Sequence, residues 1–411
     1  MTPITLRPVA LVIAGAAVLA VTGCATTTAA PTPSAGSNEL EDMEPVTIRF
    51  ADANPESGDS ATYVKRWMDE VTERTDGKVT FETYFSATLV PPTEAIDALN
   101  SDIADMTFFN NGWWTEQLPV SNWEGGLTGL ATSVGFPNAN LVGAAVTMAN
   151  LDTNEAIAEE LAAFDARPLL PMYSSPFVLT CTSPIETLED AQGKSVRTSG
   201  HPWQGEVGHL GMNNVFLPLI EQYEALQRGV IDCALNGSTQ VPTLSLLDVA
   251  PYVSPLNAGS TTGAYYVISN SLWNELPTEV QEIMIDARAG ALAGFVEATL
   301  DSFAKIADTA ESSGGTFTDP SALNEALAEY REPLFDDMAS AAPAAVRDAA
   351  AAVERIQEMT DDWESLVTDD LHMRAADVSN LDSVIAAWSA GSAGYDWDAY
   401  ADALRTYTSS K

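Results

Sequence analysis

The feature that most constrains the fold is an alternation of strand-like and helix-like segments that begins near residue 46. Residues 46–51 (VTIRFA), 78–84 (KVTFETY) and 105–109 (DMTFF) have the patterns of strands. Helical patterns over 60–75 and 93–99 separate them. This order predicts a mostly parallel sheet covered by helices, and such sheets bind ligands at the carboxyl ends of their strands.

A second series of the same kind follows further along the chain. Residues 167–182 are rich in strand formers, and residues 194–198 (KSVRT) and 230–235 (VIDCAL) also indicate strands. A helix is predicted over 219–229, and a long helical run over 277–312 begins at Pro277. With 411 residues the chain is long enough for two packed domains.

The N-terminus predicts export. Residues 1–7 carry one positive side chain, and the apolar run 9–21 is shorter than the roughly 20 residues of a membrane span. Val21-Thr22-Gly23-Cys24 follows at once and resembles a bacterial lipobox, in which Cys24 is lipidated. The alternative is an ordinary signal peptide with an incidental cysteine. We expect residues 1–24 to be a lipoprotein signal peptide.

Residues 25–44 (ATTTAAPTPSAGSNELEDME) are small, polar and proline-containing, which predicts a disordered tether. The expected location is the outer face of the cytoplasmic membrane, in the periplasm or at the cell surface, with the lipid as the membrane anchor.

Composition excludes several classes of function. Asp and Glu number 58 against 18 Lys and Arg, a net charge of -40, which repels nucleic acid. The nucleophile-elbow, zinc-protease, phosphate-loop and dinucleotide-binding motifs are absent from the sequence. Three His residues with no metal-ligand spacing predict no metal site. We therefore expect a protein that is not an enzyme and needs no cofactor. We also expect a monomer.

Five stretches together resemble the substrate-binding proteins of tripartite ATP-independent periplasmic (TRAP) transporters, the DctP-like family. In chain order they are TIRFADANPES, ERTDGKVTFETY, EAIDALNSDIADMTF, SPIETLEDAQGKSVRT and PLIEQYEALQRGVIDCALN. The resemblance covers residues 46 to about 310, and the last two stretches are the most specific.

The resemblance implies an α/β, two-lobed periplasmic-binding-protein-like fold (a type II solute-binding protein) with a long helix spanning both lobes. It places residues 45–174 and 262–301 in lobe one, and residues 175–261 and 302–370 in lobe two. Residues 371–411 are expected to be a helical C-terminal extension.

Two positions that match the family carry chemistry. Arg197 stands where the family places an arginine that clamps the ligand's carboxylate, and a guanidinium pairs bidentately with that group. Its alternative role is a structural ion pair. Asn236 matches a polar ligand-orienting residue, or it is a turn residue before Gly237.

Other ligand-binding candidates follow from the same resemblance. Asn110 and Trp113 follow the strand DMTFF, in a region that lines the family's cleft, and Trp203 follows the Arg197 strand. Each Trp is equally compatible with a place in the core. Asn110 and Phe177 stand where many relatives carry additional charged or polar groups, which implies a ligand less polar than a sugar acid.

Cys181 and Cys233 are the cysteines that remain after Cys24, and an even count in an exported protein permits one disulfide. Two buried free thiols are the alternative. In the family these two strands run near the hinge, so a cross-link there is geometrically possible.

The function implied is capture of a small organic acid, a carboxylate or a sulfonate, and delivery to TRAP membrane permease subunits. A solute-binding lipoprotein of an ATP-driven (ABC) importer, a surface-anchored hydrolase and an adhesive or structural lipoprotein are the alternatives.

Overall fold

A computed structural model describes residues 39–132, 135–174, 177–200, 203–259, 263–373 and 375–410. The strands are β1 (Val46–Ala51), β2 (Val79–Tyr84), β3 (Met106–Asn110), β4 (Ala166–Met172), β5 (Phe177–Cys181), β6 (Ser195–Arg197), β7 (Asn213–Val215), β8 (Cys233–Gly237), β9 (Tyr252–Ala258), β10 (Ala264–Ser269) and β11 (Thr316–Phe317). The first sheet has the order β2-β1-β3-β10-β4, and the second has the order β11-β9-β5-β8-β6-β7.

The helices cover these sheets and form a long C-terminal region. They are α1 (Glu39–Asp42), α2 (Asp59–Arg74), α3 (Ala95–Asn100), α4 (Pro119–Leu127), α5 (Asn138–Thr153), α6 (Glu155–Ala162), α7 (Leu188–Ala191), α8 (Trp203–His209), α9 (Gln222–Gln227), α10 (Gln240–Thr243), α11 (Asn270–Glu275), α12 (Thr278–Ser313), α13 (Ser321–Asp336), α14 (Ala349–Ser365), α15 (Leu381–Ala390) and α16 (Trp397–Ser410).

Both sheets are mixed rather than mostly parallel. β1 pairs in parallel with β2 and β3, but β10 is antiparallel to β3 and β4. In the second sheet β6 is parallel to β7 and β8, whereas β5 is antiparallel to β8 and β9. The predicted parallel core is present in each sheet. The antiparallel strands differ from the prediction because β10 returns from the second sheet and enters the first one in the opposite direction.

The long helix α12 is shared by both lobes. It starts after Pro277 and ends at Gly314, whose φ of 76° gives the left-handed conformation that stops a helix. Met284 and Leu292 lie in the core of the first sheet, and Phe303 packs in a core of the second sheet. The fold is therefore the predicted two-lobed α/β architecture with a helix common to both lobes.

The C-terminal helices pack on both lobes. In α14, Trp363 is fully buried in the same core cluster as Trp67 of α2, so this helix lies on the first lobe. The prediction assigned residues 302–370 to lobe two, and the structure differs for residues 349–365 because the apolar side of α14 packs against α5. Trp388 of α15 packs on Phe303, in the core of the second lobe.

Part of the predicted tether is ordered on the body of the protein. Residues 39–42 form α1, where the amide of Leu40 donates to Glu279 Oε2 at 3.3 Å. Lys78 Nζ donates to the carbonyl of Met43 at 2.7 Å. Residues 39–44 of the tether expected over 25–44 are therefore held on the body of the protein by these hydrogen bonds, and residues 25–38 lie outside the described residues. Cys24 lies outside the described residues.

Within the described ranges, none of the helices combines the length and apolar character that crossing a bilayer requires.

Candidate ligand-binding site

Arg197 is the last residue of β6, at the carboxyl end of the parallel part of the second sheet. Asp232 holds the beginning of this strand, because its Oδ2 accepts from Ser195 N at 2.8 Å and Ser195 Oγ at 2.9 Å. Val196 points into one core of the lobe, so Arg197 faces the other side of the sheet.

The Arg197 side chain is buried among neutral acceptors. Only 6% of the residue is exposed. Its Nη1 donates to Asn236 Oδ1 at 3.0 Å and to Ser199 Oγ at 3.1 Å, and its Nε lies 3.4 Å from the carbonyl of Leu217. In the part of the chain that the structure describes, no carboxylate lies within 4.0 Å of this guanidinium. A structural ion pair within the described chain therefore does not account for its burial.

Burial lowers the pKa of the Arg197 guanidinium to about 10, because a charged group loses hydration there. The group is still charged at neutral pH. Among the described residues the other buried arginine, Arg288, is neutralised by Asp152, at 2.7 Å. Among the described residues no carboxylate compensates the positive charge of Arg197, in a chain of net charge -40.

Asn236 is held in one orientation by Gln222. Both residues are fully buried. The carbonyl oxygen of Asn236 accepts from Arg197, and its amide nitrogen donates to Gln222 Oε1 at 2.8 Å. Gln222 in turn donates to the carbonyl of Leu219 at 3.0 Å. This chain fixes the position of the guanidinium. Sequence reasoning missed Gln222, whose only signal is a polar residue near the start of a short helix.

Phe177 and Trp203 lie on the other face of the second sheet. Side chains alternate along a strand, and Phe177 shares its core cluster with Leu235 and Val196, the neighbours of Asn236 and Arg197. The rings of Phe177 and Trp203 are stacked, with centroids 4.1 Å apart. The structure therefore does not bring these two predicted ligand residues together with Arg197.

Asn110 and Trp113 belong to the first lobe. Asn110 ends β3, and its side chain caps the following turn by accepting from Gly112 N at 2.9 Å. Trp113 is partly exposed and makes edge contacts with Phe108 and Trp114. Among the residues described, no hydrogen bond, ion pair or ring contact joins Asn110 or Trp113 to Arg197.

Cys181 and Cys233 are opposite each other in the antiparallel pair β5–β8, and the structure joins their sulfur atoms at 2.10 Å. The bond lies on the apolar face with Phe177, not on the face of Arg197. No group of three or more potential metal ligands is found within the described ranges.

A family model agrees with this architecture. The model for bacterial extracellular solute-binding protein, family 7 (DctP), matches residues 50–341, which is more than half of the chain. This chain belongs to that family. The C-terminal helices α14 to α16 lie beyond the matched region of the family 7 model.

Curated relatives carry the same description. A solute-binding protein of Roseobacter denitrificans is 23% identical over 256 residues, which are 62% of this chain and 75% of that relative. One of Sulfitobacter sp. (strain NAS-14.1) is 29% identical over 126 residues, 30% of this chain. That second match spans 38% of the relative's own length.

Solved structures share the family 7 fold. An extracytoplasmic solute receptor of Bordetella pertussis that binds pyroglutamic acid has a TM-score of 0.63 at 16% identity, over 77% of this chain and 99% of its own. A TRAP periplasmic solute-binding protein of Chromohalobacter salexigens, with bound D-glucuronate, has a TM-score of 0.58 at 23% identity, over 76% and 99%. One of Sulfitobacter sp. NAS-14.1, with bound β-D-galacturonate, has a TM-score of 0.57 at 20% identity, over 77% and 100%.

Proposed function

We propose that this protein captures a small organic acid outside the cytoplasm, through Arg197, and delivers it to a TRAP-type membrane permease. The observation that carries the proposal is a buried guanidinium whose partners on the described chain are all neutral. A buried charge without a counter-ion is costly, and an anionic ligand offsets that cost.

The geometry favours a planar, two-oxygen anion. Asn236 and Ser199 both accept from Nη1, and no hydrogen bond to Nη2 is found within the described ranges. A carboxylate can pair with Nη2 and with Nε, whose contact to the carbonyl of Leu217 is long at 3.4 Å, whereas a single-point anion pairs with one nitrogen. The bound acids of the similar structures are pyroglutamate and two hexuronates, D-glucuronate and β-D-galacturonate, and all three carry a carboxylate.

We propose that the ligand lies between the lobes and that closure completes the site. Arg197 supplies the second lobe's contact, while Asn110 and Trp113 end a strand of the first lobe and are the candidates on that side. An anion that touches both lobes stabilises the closed state by its differential affinity. In this proposal α14 is part of the first lobe.

The anion proposal is tested by calorimetry on the full chain with pyroglutamate, D-glucuronate and D-galacturonate as probes. Native mass spectrometry first identifies any small acid that the protein retains. Arg197→Ala is expected to weaken binding at least about a hundredfold, because truncating one partner of a buried charge pair costs about 2–5 kcal/mol. Arg197→Lys keeps the charge but loses the fork, and it should also bind weakly.

Arg228→Ala is the matched control, since it removes the same charge from an exposed side chain paired with Glu224. It is expected to bind like the wild type. A folded Arg197→Ala protein with wild-type affinity would show that Arg197 is not the clamp. A wild type that binds and retains no organic acid would reject the function itself.

We also propose that the protein is anchored to the membrane through Cys24, since Val21-Thr22-Gly23-Cys24 follows an apolar run. Cells fed a labelled fatty acid should label the wild type and not Cys24→Ala. Equal labelling of both proteins contradicts the anchor.

A further inference from the structure

The chain passes between the two sheets at one corner of the second sheet. It leaves the first sheet at Met172, the end of β4, and enters the second at Phe177, the start of β5. It returns from Ala258, the end of β9, to Ala264, the start of β10. Phe177 and Ala258 are paired across β5 and β9, so the two connections meet the second sheet side by side.

The side chain of Trp203 contacts both connections where they meet the second sheet. Trp203 opens α8 and is 7% exposed. Its ring stacks on Phe177 at an interplanar angle of 7°, and its Nε1 donates to the carbonyl of Gly259 at 2.6 Å. Stacked aromatic pairs and a buried indole N–H with an acceptor both favour one fixed geometry. The ends of β5 and β9 are therefore held by the same ring.

A buried ion pair holds the same corner from the next turn of α8. Both carboxylate oxygens of Glu206 accept from Gly259 N at 3.1 Å, and Arg331 Nε of α13 lies 2.9 Å from Oε1. Arg331 also donates to the carbonyl of Asn257. A Cβ on residue 259 would lie 3.0 Å from Glu206 Oε1, a contact so tight that the carboxylate would have to shift. Both peptide groups of Gly259 are thus fixed by α8.

The same helix follows the anion site along the chain. β6 ends at Arg197, and α8 begins at Trp203. A shift of α8 would therefore move both the strand that ends at Arg197 and the points where the two connections meet the second sheet. Hinges in two-lobed proteins are a few residues at the ends of elements, and these residues absorb the rotation.

We propose that Trp203 and the Glu206–Arg331 pair set the angle between the lobes. They do so by holding Phe177 and Gly259, where the two connections meet the second sheet. These residues do not touch the ligand. They fix where β5 and β9 leave the second sheet, and so they set the equilibrium between open and closed forms. The inference rests on the proposed function only for its effect on ligand affinity.

The test measures the distance between the lobes without a ligand. Nitroxide labels are attached at Glu73→Cys in α2 and Glu189→Cys in α7, two exposed positions, in the full chain carrying Cys24→Ser. Pulsed electron paramagnetic resonance then gives the distance distribution. Trp203→Leu and Glu206→Gln are each expected to broaden it and to move its mean by about 2 Å or more, the scale of a domain rearrangement.

Two matched controls separate this role from ordinary packing. Trp388→Leu removes an indole that is 5% exposed and packs on two aromatic rings. Glu124→Gln removes the buried partner of Arg355, at 3.3 Å, in the first lobe. Both controls should lower stability and leave the wild-type distance distribution unchanged.

The proposal is overturned if Trp203→Leu and Glu206→Gln keep the wild-type distribution, or if the controls change it equally. If Trp203→Leu does not fold, Trp203→Phe decides together with Glu206→Gln, because it keeps a ring on Phe177 and loses only the donor to Gly259. A changed distribution in a protein that binds no acid rejects the proposed function alone. An unchanged distribution with normal acid binding rejects only this inference.

Discussion

Each sheet buries an ionisable side chain at the carboxyl end of a parallel strand. One is an acid and the other a base, and burial affects their charges to different extents at neutral pH. Asp52 follows β1 and is 2% exposed, and Arg197 ends β6 and is 6% exposed. Neither has a partner of opposite charge within 4.0 Å in the described ranges. The comparison isolates what burial does to an acid and to a strong base.

Burial pushes both groups toward their neutral forms, but from different starting values. It raises the pKa of Asp52 from 3.8 to about 6, even though Asn54 and Tyr266 donate to the carboxylate. It lowers that of Arg197 only to about 10. Asp52 therefore titrates just below neutral pH, while Arg197 stays charged. An arginine therefore keeps its charge in a site without water and can bind an anion there, whereas burial brings an acid close to protonation at neutral pH.

The largest expected effect concerns the apolar face behind Arg197. The double variant Cys181→Ala/Cys233→Ala opens a loop with a sequence separation of 52 residues. The free energy of unfolding should fall by about 4 kcal/mol, because the unfolded chain regains the entropy of that loop. Urea denaturation measures the change, and intact mass before and after reduction and alkylation checks the bond. Two free thiols in the unreduced protein would contradict the disulfide.

The next effect is the pH dependence caused by Asp52. Its folded pKa lies above the unfolded value, so the wild type has no penalty below pH 4 and loses stability as pH rises through 6. Asp52→Asn does not lose stability in this way, because the asparagine side chain does not ionise. The variant should gain up to about 3 kcal/mol over the wild type between pH 4 and 7.5. Asp97→Asn, at an exposed position of α3, is the control. Parallel stability curves for Asp52→Asn and wild type would refute the assignment.

A smaller effect is expected for Arg197 in the absence of ligand. Its folded pKa lies below the unfolded value, so the charged form destabilises the fold at all pH values below about 10. Arg197→Met should therefore raise the free energy of unfolding by about 2 kcal/mol, after the lost hydrogen bonds are deducted. Arg228→Met should change little. A clear loss of stability in Arg197→Met would mean that the arginine is structural.

The smallest effect is the dependence of acid binding on pH. Since Arg197 keeps its charge up to about pH 10, affinity for a carboxylate should be level between pH 7 and 9. Above pH 10 it should fall about tenfold per pH unit, because the neutral side chain cannot pair with an anion. Calorimetry over this range gives the profile. A fall in affinity that begins near pH 7 would assign binding to another group.

Local signals predicted those elements whose ends are marked in the sequence. The helix expected over 277–312 is α12 (Thr278–Ser313), because Pro277 and Gly314 mark its ends. β8 was expected over 230–235 and is Cys233–Gly237. An apolar run does not show at which residue the backbone hydrogen bonds of the strand begin, because in β8 this depends on its pairing with β5. The antiparallel entry of β10 is equally a property of the whole topology.

The candidate site was predictable only where one residue carries the chemistry. Arg197 stood out because arginine is scarce in this chain and ends a strand, and the structure adds Asn236 beside it. The resemblance to the family grouped Phe177 and Trp203 with it. Which face a side chain occupies depends on strand pairing, and that pairing puts both rings in the core behind the site.

The docking of α1 sets an upper limit on the length of chain between the body of the protein and Cys24, the proposed lipidation site. Its hydrogen bonds to Lys78 and Glu279 fix the chain from residue 39 onward, so only residues 25–38 separate the body from Cys24. At about 3.3–3.6 Å per residue this segment reaches at most about 50 Å. In the lipoprotein proposed above, a segment of that length would hold the body close to the bilayer, within reach of a permease in the same membrane.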